Sequence, residues 1–398
     1  MSTVRLAIVT SHPIQYYAPI FQALARSAVL HPRVFYTWSQ TADAAVADPG
    51  FGRAVTWDIP LLEGYEFEFV PNVSKRPGTE HFRGLQNPGL NRAIETWQAD
   101  AVLVFAWNSE SHLGAMRYFK RRIPVFFRGD STLLDRGPIW KRALRRIVLR
   151  WVYSHIDVAI AVGSNNRDYF RWSGIPDERI AFAPHAVDTR RFGDAEGVHS
   201  ERAAQWRNEL GIAPDARALL FAGKLQWQKN PGLLLDAFLS CGAPGHLIVV
   251  GNGPLEAALR ARAGSRPDVH FLPFQNQQAM PAVYRVGDFF VLPSCSETWG
   301  LAVNEAMACG RPVIASNKVG AARDLLRDGR TGWTFETGDL EHLAAVMREA
   351  LTCDIRALRQ MGEEAKRESA QWSIEAAADG IERSIVQHFR PRSALARA

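Results

Sequence analysis

Four cysteines in 398 residues are too few and too scattered for a disulfide framework. Cys241, Cys295, Cys309 and Cys353 form no C-x-x-C pair and stand at no zinc-site spacing to histidine. That pattern excludes a disulfide-stapled secreted scaffold and a structural zinc module, and it fits a reduced cytoplasmic protein. Long apolar runs are missing as well. Those present, such as residues 219–222 and 247–250, are strand-sized, far short of the roughly 18 residues a membrane span needs. The chain reaches a strand within three residues of Met1, without a basic flank, apolar stretch and small-residue cleavage site, so no signal peptide is expected. No repeat of solenoid period and no low-complexity segment occurs.

What is present is material for a large core. Hydrophobic residues make up 47% of the chain, and the length suggests two domains or three. The net charge of +6 is unevenly placed: residues 1–190 hold 23 Lys and Arg against 17 Asp and Glu, while residues 191–398 hold 24 of each. The excess concentrates in residues 117–150, with eleven cations against Asp130 and Asp135. Such a patch calls for an anionic partner or a solvated face.

Apolar runs at 4–10, 34–37, 66–70, 101–106, 125–127, 158–162 and 180–183 alternate with helical or loop segments. That alternation predicts a doubly wound parallel sheet. Ser11 and His12 follow the first strand, before a helix opened by Pro19. Asn108, Glu110 and His112 follow the strand at 101–106, and Arg128, Gly129 and Asp130 end the next one. All would face the crevice outside the carboxyl ends of the strands. Capping of the first helix by His12, and an ion pair between Arg128 and Asp130, are the alternatives to ligand contact. Residues 74–91 show no periodicity and read as a mobile loop through which an acceptor could enter.

Residues 138–152 read as an amphipathic helix. Trp140, Leu144, Ile147, Val148 and Trp151 form its apolar face; Arg142, Arg146 and Arg150 lie at i, i+4 spacing, with Lys141 and Arg145 beside them. A solvated face packed on the sheet is one account of it, and an anionic surface or an anionic acceptor is the other. Residues 193–200 are short and polar, as suits a hinge.

The second half begins with a helix near 202–210 and a strand at 219–222 that runs into Gly223, Lys224 and Lys229. The strand at 247–250 meets Gly251 and Gly253, which would let backbone approach a nucleotide; the strand at 269–272 meets Pro273, Phe274 and Gln275. Residues 287–316 then read as strand, loop, helix, strand. Glu297 lies in the loop, Gly300 permits close backbone approach, Glu305 lies eight positions beyond Glu297 on the helix, and Gly310, Arg311 and Pro312 stop it. In a parallel sheet the start of such a helix offers free N–H groups to an anion.

The run from Ser296 to Ser316, SETWGLAVNEAMACGRPVIAS, resembles the E-x7-E signature of the retaining glycosyltransferases of family 4. The resemblance implies the GT-B fold, two facing Rossmann-like doubly wound parallel-sheet domains, and a nucleotide-sugar substrate. It implies that Glu297 meets the sugar of that substrate and Glu305 its ribose hydroxyls, with Lys224 and Lys229 on the diphosphate. Gly223, Gly251, Gly253, Phe274, Thr298, Trp299, Gly300 and Leu301 would complete the nucleotide-sugar site. Thr298 and Trp299 stand where the family more often has Pro and Phe, and Lys224 where it usually has Arg, which costs bidentate geometry. Phe105 and Trp107 stand where many relatives carry His-x-His. The acceptor side would be His12, Asn108, Glu110, His112, Arg128 and Asp130.

PHAVDTRRF, residues 184–192, resembles the family's crossing between domains, and residues 372–390 its terminal helix. The expected division is therefore an acceptor-binding domain at 1–192, a nucleotide-sugar domain at 193–371, and a helix at 372–390 returning to the first. The expected activity is transfer of a sugar to a hydroxyl acceptor, such as a glycan, lipid-linked saccharide or glycolipid, with retention. No D-x-D occurs, so lysines and helix N–H groups, without metal or cofactor, would neutralise the diphosphate. The enzyme would be cytoplasmic, with Lys141, Arg142, Arg145, Arg146 and Arg150 as a route to the inner membrane face. A sugar-nucleotide epimerase or phosphorylase on the same fold is the enzymatic alternative. A non-enzymatic basic protein binding membrane or nucleic acid is the other, though no nucleic-acid module is recognisable.

Overall fold

The computed structural model describes residues 3–39, 46–48, 53–135 and 137–389; Met1, Arg136 of the basic patch and Arg390 of the terminal helix lie outside them. The strands in chain order are β1 Val4–Thr10, β2 Leu30–Tyr36, β3 Val46–Asp48, β4 Arg53–Val55, β5 Glu66–Phe69, β6 Ala101–Phe105, β7 Val125–Arg128, β8 Val158–Ala161 and β9 Ile180–Phe182, then β10 Ala218–Ala222, β11 His246–Val250, β12 Val269–Leu272, β13 Phe289–Leu292, β14 Val313–Ser316 and β15 Gly332–Phe335.

Two compact units result. The first comprises residues 1–44, 60–185 and 374–398; the second comprises residues 45–59 and 186–373. The first holds a seven-stranded parallel sheet in the order β5-β2-β1-β6-β7-β8-β9. Central strands of a parallel sheet are covered on both faces and so read as unbroken apolar runs; β6, AVLVF, is buried at every position. Ala7, Val9, Val102, Val104, Val125 and Phe127 anchor its core on one face. The Ile374–His388 helix belongs to this unit, and a Cβ on Gly380 would lie 2.7 Å from Phe182 O and from Ala183 Cα. Only glycine permits that approach of helix to strand.

The second unit holds a six-stranded parallel sheet, β12-β11-β10-β13-β14-β15. β10, ALLFA, is buried throughout, and Leu219, Phe221, Leu247, Phe289, Val291 and Ile314 lie at the centre of the core.

In both sheets the chain winds outward and then returns. It runs β1, β2, β5 and comes back to β6 beside β1; it runs β10, β11, β12 and comes back to β13 beside β10. Where the winding reverses, neighbouring strand-end loops diverge, and a crevice opens outside their carboxyl ends. The β10/β13 reversal is the one that receives Gly223, Lys224 and Lys229 from one strand and Ser294 to Glu297 from the other.

Three details depart from the sequence expectation. The short antiparallel pair β3–β4 has no counterpart in it, and the segment around that pair belongs to the second unit. Asn276 Nδ2 donates to Thr56 O at 2.7 Å, and Gln278 N donates to Asp58 Oδ1 at 3.1 Å. The first unit ends at His185, because residues 186–192 are held by the second: Val187 bridges Ser373, and Arg285 Nη2 donates to Phe192 O at 2.8 Å. The polar stretch after Phe192 is tied down as well, since Asp194 accepts from the backbone of His199 and Ser200 at the start of the Val198–Glu209 helix.

Candidate functional site in the second unit

The turn after β10 runs from Gly223 to Asn230. Gly223 N donates to Val250 O and Leu225 N to Asn252 O, both at 3.0 Å, which lays this turn against the Gly251–Gly253 loop. A Cβ on Gly251 would lie 2.0 Å from Gly223 O, and one on Gly253 2.6 Å from Leu225 O. These glycines are explained by backbone meeting backbone; φ values of +133° and +159° point the same way. Phe274, half-buried, is placed by its N–H, which donates to Asn252 Oδ1 at 2.9 Å, while Asn252 Nδ2 donates to Glu256 at 2.8 Å. Asn252 thus links two loops that are separate in sequence.

Lys229 sits on a single 3-10 turn, Trp227–Lys229, followed by Asn230 in the left-handed region at φ 51°. Its Nζ donates to Glu297 Oε1, and Ser294 Oγ donates to the same oxygen at 3.2 Å. The two side chains retain 23% and 17% exposure, so the pair is largely shielded from water. Glu297 is also fixed through its backbone. Its N–H donates to Lys318 O at 3.0 Å, its carbonyl accepts from Gly320 N at 3.1 Å, and a Cβ on Gly320 would lie 2.0 Å from Thr298 O. Thr298 itself is exposed. Lys224 is half-buried in the same turn as Lys229. Trp227 is 70% exposed beside it, an apolar surface that no sequence pattern singles out.

Gly300 caps the Leu301–Ala308 helix at φ 92°, where a Cβ would crowd Val319 and Leu292 at 3.0 and 3.2 Å. Leu301 is half-buried at the first position of that helix. One turn on, Glu305 is buried. Its Oε2 accepts from Tyr284 Oη at 2.7 Å, and its Oε1 is buried with no hydrogen-bond partner. Burial pushes this carboxyl up to about 7, against the opposing pull of the Tyr284 hydroxyl and the Arg191 charge. A buried carboxylate oxygen without a partner is costly, and a ligand hydroxyl would satisfy it.

One expectation for this unit is corrected. Trp299 does not face a ligand: it is buried, its Nε1 donates to Asn304 Oδ1 at 2.8 Å, and its ring lies 4.9 Å from that of Trp372. The sequence shows that an aromatic follows Thr298, not which way it turns.

In the first unit, His12, Asn108 and Asp130 follow β1, β6 and β7, three adjacent strands, and so share one sheet end. His12 is half-buried, its Nδ1 3.0 Å from Ser11 Oγ and its ring edge-on to Trp38; burial lowers its pKa. Asn108 is exposed. His112 and Arg128, expected to meet a ligand, are internal. His112 Nδ1–H donates to Ala106 O at 3.2 Å and its Nε2 accepts from Thr37 Oγ1 at 3.1 Å. Burial holds this imidazole down at about 4, hence neutral. It braces Ala106, which sits at φ 61°. Arg128 donates to Ala183 O and Pro184 O at 2.8 and 2.9 Å, tying β7 to the end of β9. Glu110 accepts from Gln86 Nε2 at 2.9 Å in the first turn of its helix. That contact belongs to a network that fastens the loop expected to be mobile. Asn87 donates to Thr37 O, Val70 O and Pro71 O, and Ser111 Oγ donates to Leu85 O.

The Ile139–Tyr153 helix of the same unit buries Leu149, Val152 and Tyr153. Of the accounts left open for its apolar face, packing on the sheet does not hold: Trp140, Leu144, Ile147, Val148 and Trp151 are exposed, Trp140 65% and Ile147 66% accessible. Arg145 lies over the Tyr169 ring at 5.5 Å and so is engaged within the fold.

Among the described residues, no three His, Cys, Asp or Glu side chains gather as a metal-holding group, and no helix is long and apolar enough to cross a membrane.

Two family models match the chain: "Glycosyl transferase 4-like domain" over residues 20–186 and "Glycosyl transferases group 1" over residues 203–368. A D-inositol 3-phosphate glycosyltransferase of Rhodococcus erythropolis is 35% identical over 224 residues, covering 52% of this chain and 48% of the relative. Another, of Rhodococcus opacus, is 30% identical over 269 residues, covering 62% and 57%. The chain thus spans about half the length of the curated relatives it matches. Among solved structures, Anabaena Alr3699/HepE in complex with UDP superposes with a TM-score of 0.73 at 18% identity, over 97% of this chain and 100% of that one. Sucrose-phosphate synthase from Thermosynechococcus elongatus does so at 0.72 and 20% identity, over 97% and 99%.

Proposed function

Because the chain belongs to glycosyltransferase family 4 and has the GT-B fold, we propose that it moves a sugar from a nucleoside diphosphate to a hydroxyl acceptor, with retention of configuration and without a metal ion. The observation that carries this reading is the β10/β13 reversal, where Lys229 pairs with Glu297, Lys224 lies in the same turn as Lys229, and the Oε1 of Glu305 is buried without a hydrogen-bond partner.

In this reading the ribose diol donates to Glu305, whose Oε1 thereby gains its missing partner. Gly223 and the Gly251–Gly253 loop let the nucleotide lie close to backbone, and Phe274 borders the base. Thr298, Gly300 and Leu301 line the sugar. As the anomeric bond breaks, charge builds on the outer phosphate. Lys224 and Lys229, with the N–H groups at the start of the Leu301–Ala308 helix, stabilise it, and preorganised charges of this kind lower the barrier most when water is excluded. Glu297, fixed through Lys318 and Gly320, orients the sugar and stabilises its oxocarbenium-like state. His12, Asn108, Glu110 and Asp130 remain the acceptor-side residues, and His112 and Arg128 support them through the backbone they hold.

The acceptor is a glycan, lipid-linked saccharide or glycolipid. An exposed apolar stripe on the Ile139–Tyr153 helix, flanked by Lys141 and Arg150, supports peripheral attachment to an anionic membrane face. The names of the curated relatives, by contrast, specify inositol 3-phosphate, which makes a small phosphorylated acceptor the competing choice.

Thermal stabilisation by a panel of nucleotide sugars, followed by release of nucleoside diphosphate on adding candidate acceptors in excess chelator, tests the whole reading. Stabilisation by one nucleotide class and acceptor-dependent release are expected. Conversion of the nucleotide sugar without any acceptor would point to an epimerase, and loss of turnover restored by magnesium or manganese would overturn metal independence.

A further inference from the structure

We infer that the Lys229–Glu297 ion pair makes this site discriminate between the sugar-bearing substrate and the nucleoside diphosphate left after transfer. The inference rests on the nucleotide-diphosphate site proposed at β10/β13 and deepens it.

The two members of the pair are held unequally. Glu297 is the more firmly held, because both its backbone groups are bonded to the Lys318–Gly320 segment and Ser294 Oγ donates to its carboxylate. Lys229 stands on a short turn at the end of a flexible four-carbon stem. When a diphosphate enters, Lys229 is the member that moves, since two phosphates offer its ammonium more negative charge than one carboxylate does. Glu297 then keeps the Ser294 hydroxyl alone, in a place where its side chain is only 17% exposed and new negative charge has arrived. Taking one partner from a shielded ion pair leaves an uncompensated charge, which is the costly way to open it.

The two ligands differ in how they meet that charge. A nucleotide sugar brings hydroxyl donors to the carboxylate, so Glu297 exchanges one partner for others. A free nucleoside diphosphate brings none, and Glu297 stays uncompensated until Lys229 returns. The same pair therefore disfavours product more than substrate and speeds product departure.

The test compares dissociation constants of UDP, GDP and ADP, and of their glucose esters, for the unaltered protein and for Glu297→Gln, by calorimetry. Gln is of similar size but holds Lys229 without charge. Glu297→Gln should bind its cognate nucleoside diphosphate about tenfold or more tighter, the size of one charge-assisted hydrogen bond, while the nucleotide sugar gains nothing. In a Lys229→Met background, where no ion pair has to open, the same substitution should bring a smaller gain. Should Glu297→Gln not fold, Glu297→Ala, which also removes the charge, is read the same way. Failure of the unaltered protein to bind any of these nucleotides would overturn the site reading itself. Normal binding by that protein, with equal or weaker nucleoside diphosphate binding by Glu297→Gln, would overturn only the discrimination.

Discussion

Glu305 is where burial and ligand binding are in direct tension. Its carboxyl is pushed up to about 7 by burial, opposed by Tyr284 and Arg191, yet only the ionised form accepts at both oxygens. The folded value lies above that of the unfolded chain, so its contribution to stability is complete below about 4.5 and is lost as pH rises through about 7. Ribose hydroxyls reverse the balance. Affinity for a plain nucleoside, which has no phosphate to titrate, should rise from pH 6 to pH 8 and then level. Glu305→Gln should flatten the profile and weaken binding by about 1.5–3 kcal/mol for a lost charge-assisted bond. A flat profile in the unaltered protein would exclude the ribose role. At this scale the sequence singled out Glu297 and Glu305 as candidates because their spacing sits inside a strand–loop–helix pattern with Gly300 between them. It misjudged Trp299, His112 and Arg128, because strand-end position can be read from sequence but side-chain direction cannot. Tyr284 and Asn252 were missed since their partners lie 21 and 22 residues away.

An amphipathic pattern says that a helix has two faces without saying which one meets the core. In the Ile139–Tyr153 helix the narrower set, Leu149, Val152 and Tyr153, packs inward, and the wider Trp140-to-Trp151 stripe faces out. If that stripe lies on an anionic bilayer, each nearby cation adds about 1 kcal/mol. Replacing Arg142, Arg146 and Arg150 by Gln should then weaken binding to anionic vesicles by roughly 3 kcal/mol, and high salt should imitate the variant. Sedimentation with vesicles decides it; equal binding to neutral and anionic vesicles at low salt would exclude a membrane role for the patch. The Gly223–Gly253 loop pair makes a different claim. Gly251→Ala places a Cβ 2.0 Å from Gly223 O at φ +133°, so it should destabilise the protein by about 1–3 kcal/mol. A calorimetric melt without nucleotide should show this loss; an unchanged melt with weakened nucleotide binding would make the glycine a ligand-approach residue instead. Strands were the most readable elements, since buried parallel strands are unbroken apolar runs. The three-residue strands β3 and β4 carry no such signal.

At the scale of the molecule, the first unit is discontinuous in sequence. Its sheet is complete by Phe182, but the Ile374–His388 helix that packs on β9 through Gly380 comes after the whole second unit. This helix was anticipated from its resemblance to the family's terminal helix, whereas the allocation of residues 45–59 to the second unit was not, because it depends on bonds from Asn276 Nδ2 and Gln278 N to Thr56 and Asp58, far away in sequence. The arrangement sets an order of events during synthesis. At ribosomal rates the closing helix is made roughly 10 to 40 s after β9, and in that interval Ala183 and the Ala18–Ala25 helix, which it packs against in the finished fold, lack that cover. Nascent chains in that window are candidates for chaperone capture. A fragment ending at residue 192 should therefore aggregate or bind a chaperone when expressed alone, and a separately supplied 372–390 peptide should raise its soluble yield. A fragment that is soluble, cooperative in melting and indifferent to the peptide would mean that the last helix is an addition to a finished unit, and that the order of synthesis leaves no trace in how this protein folds.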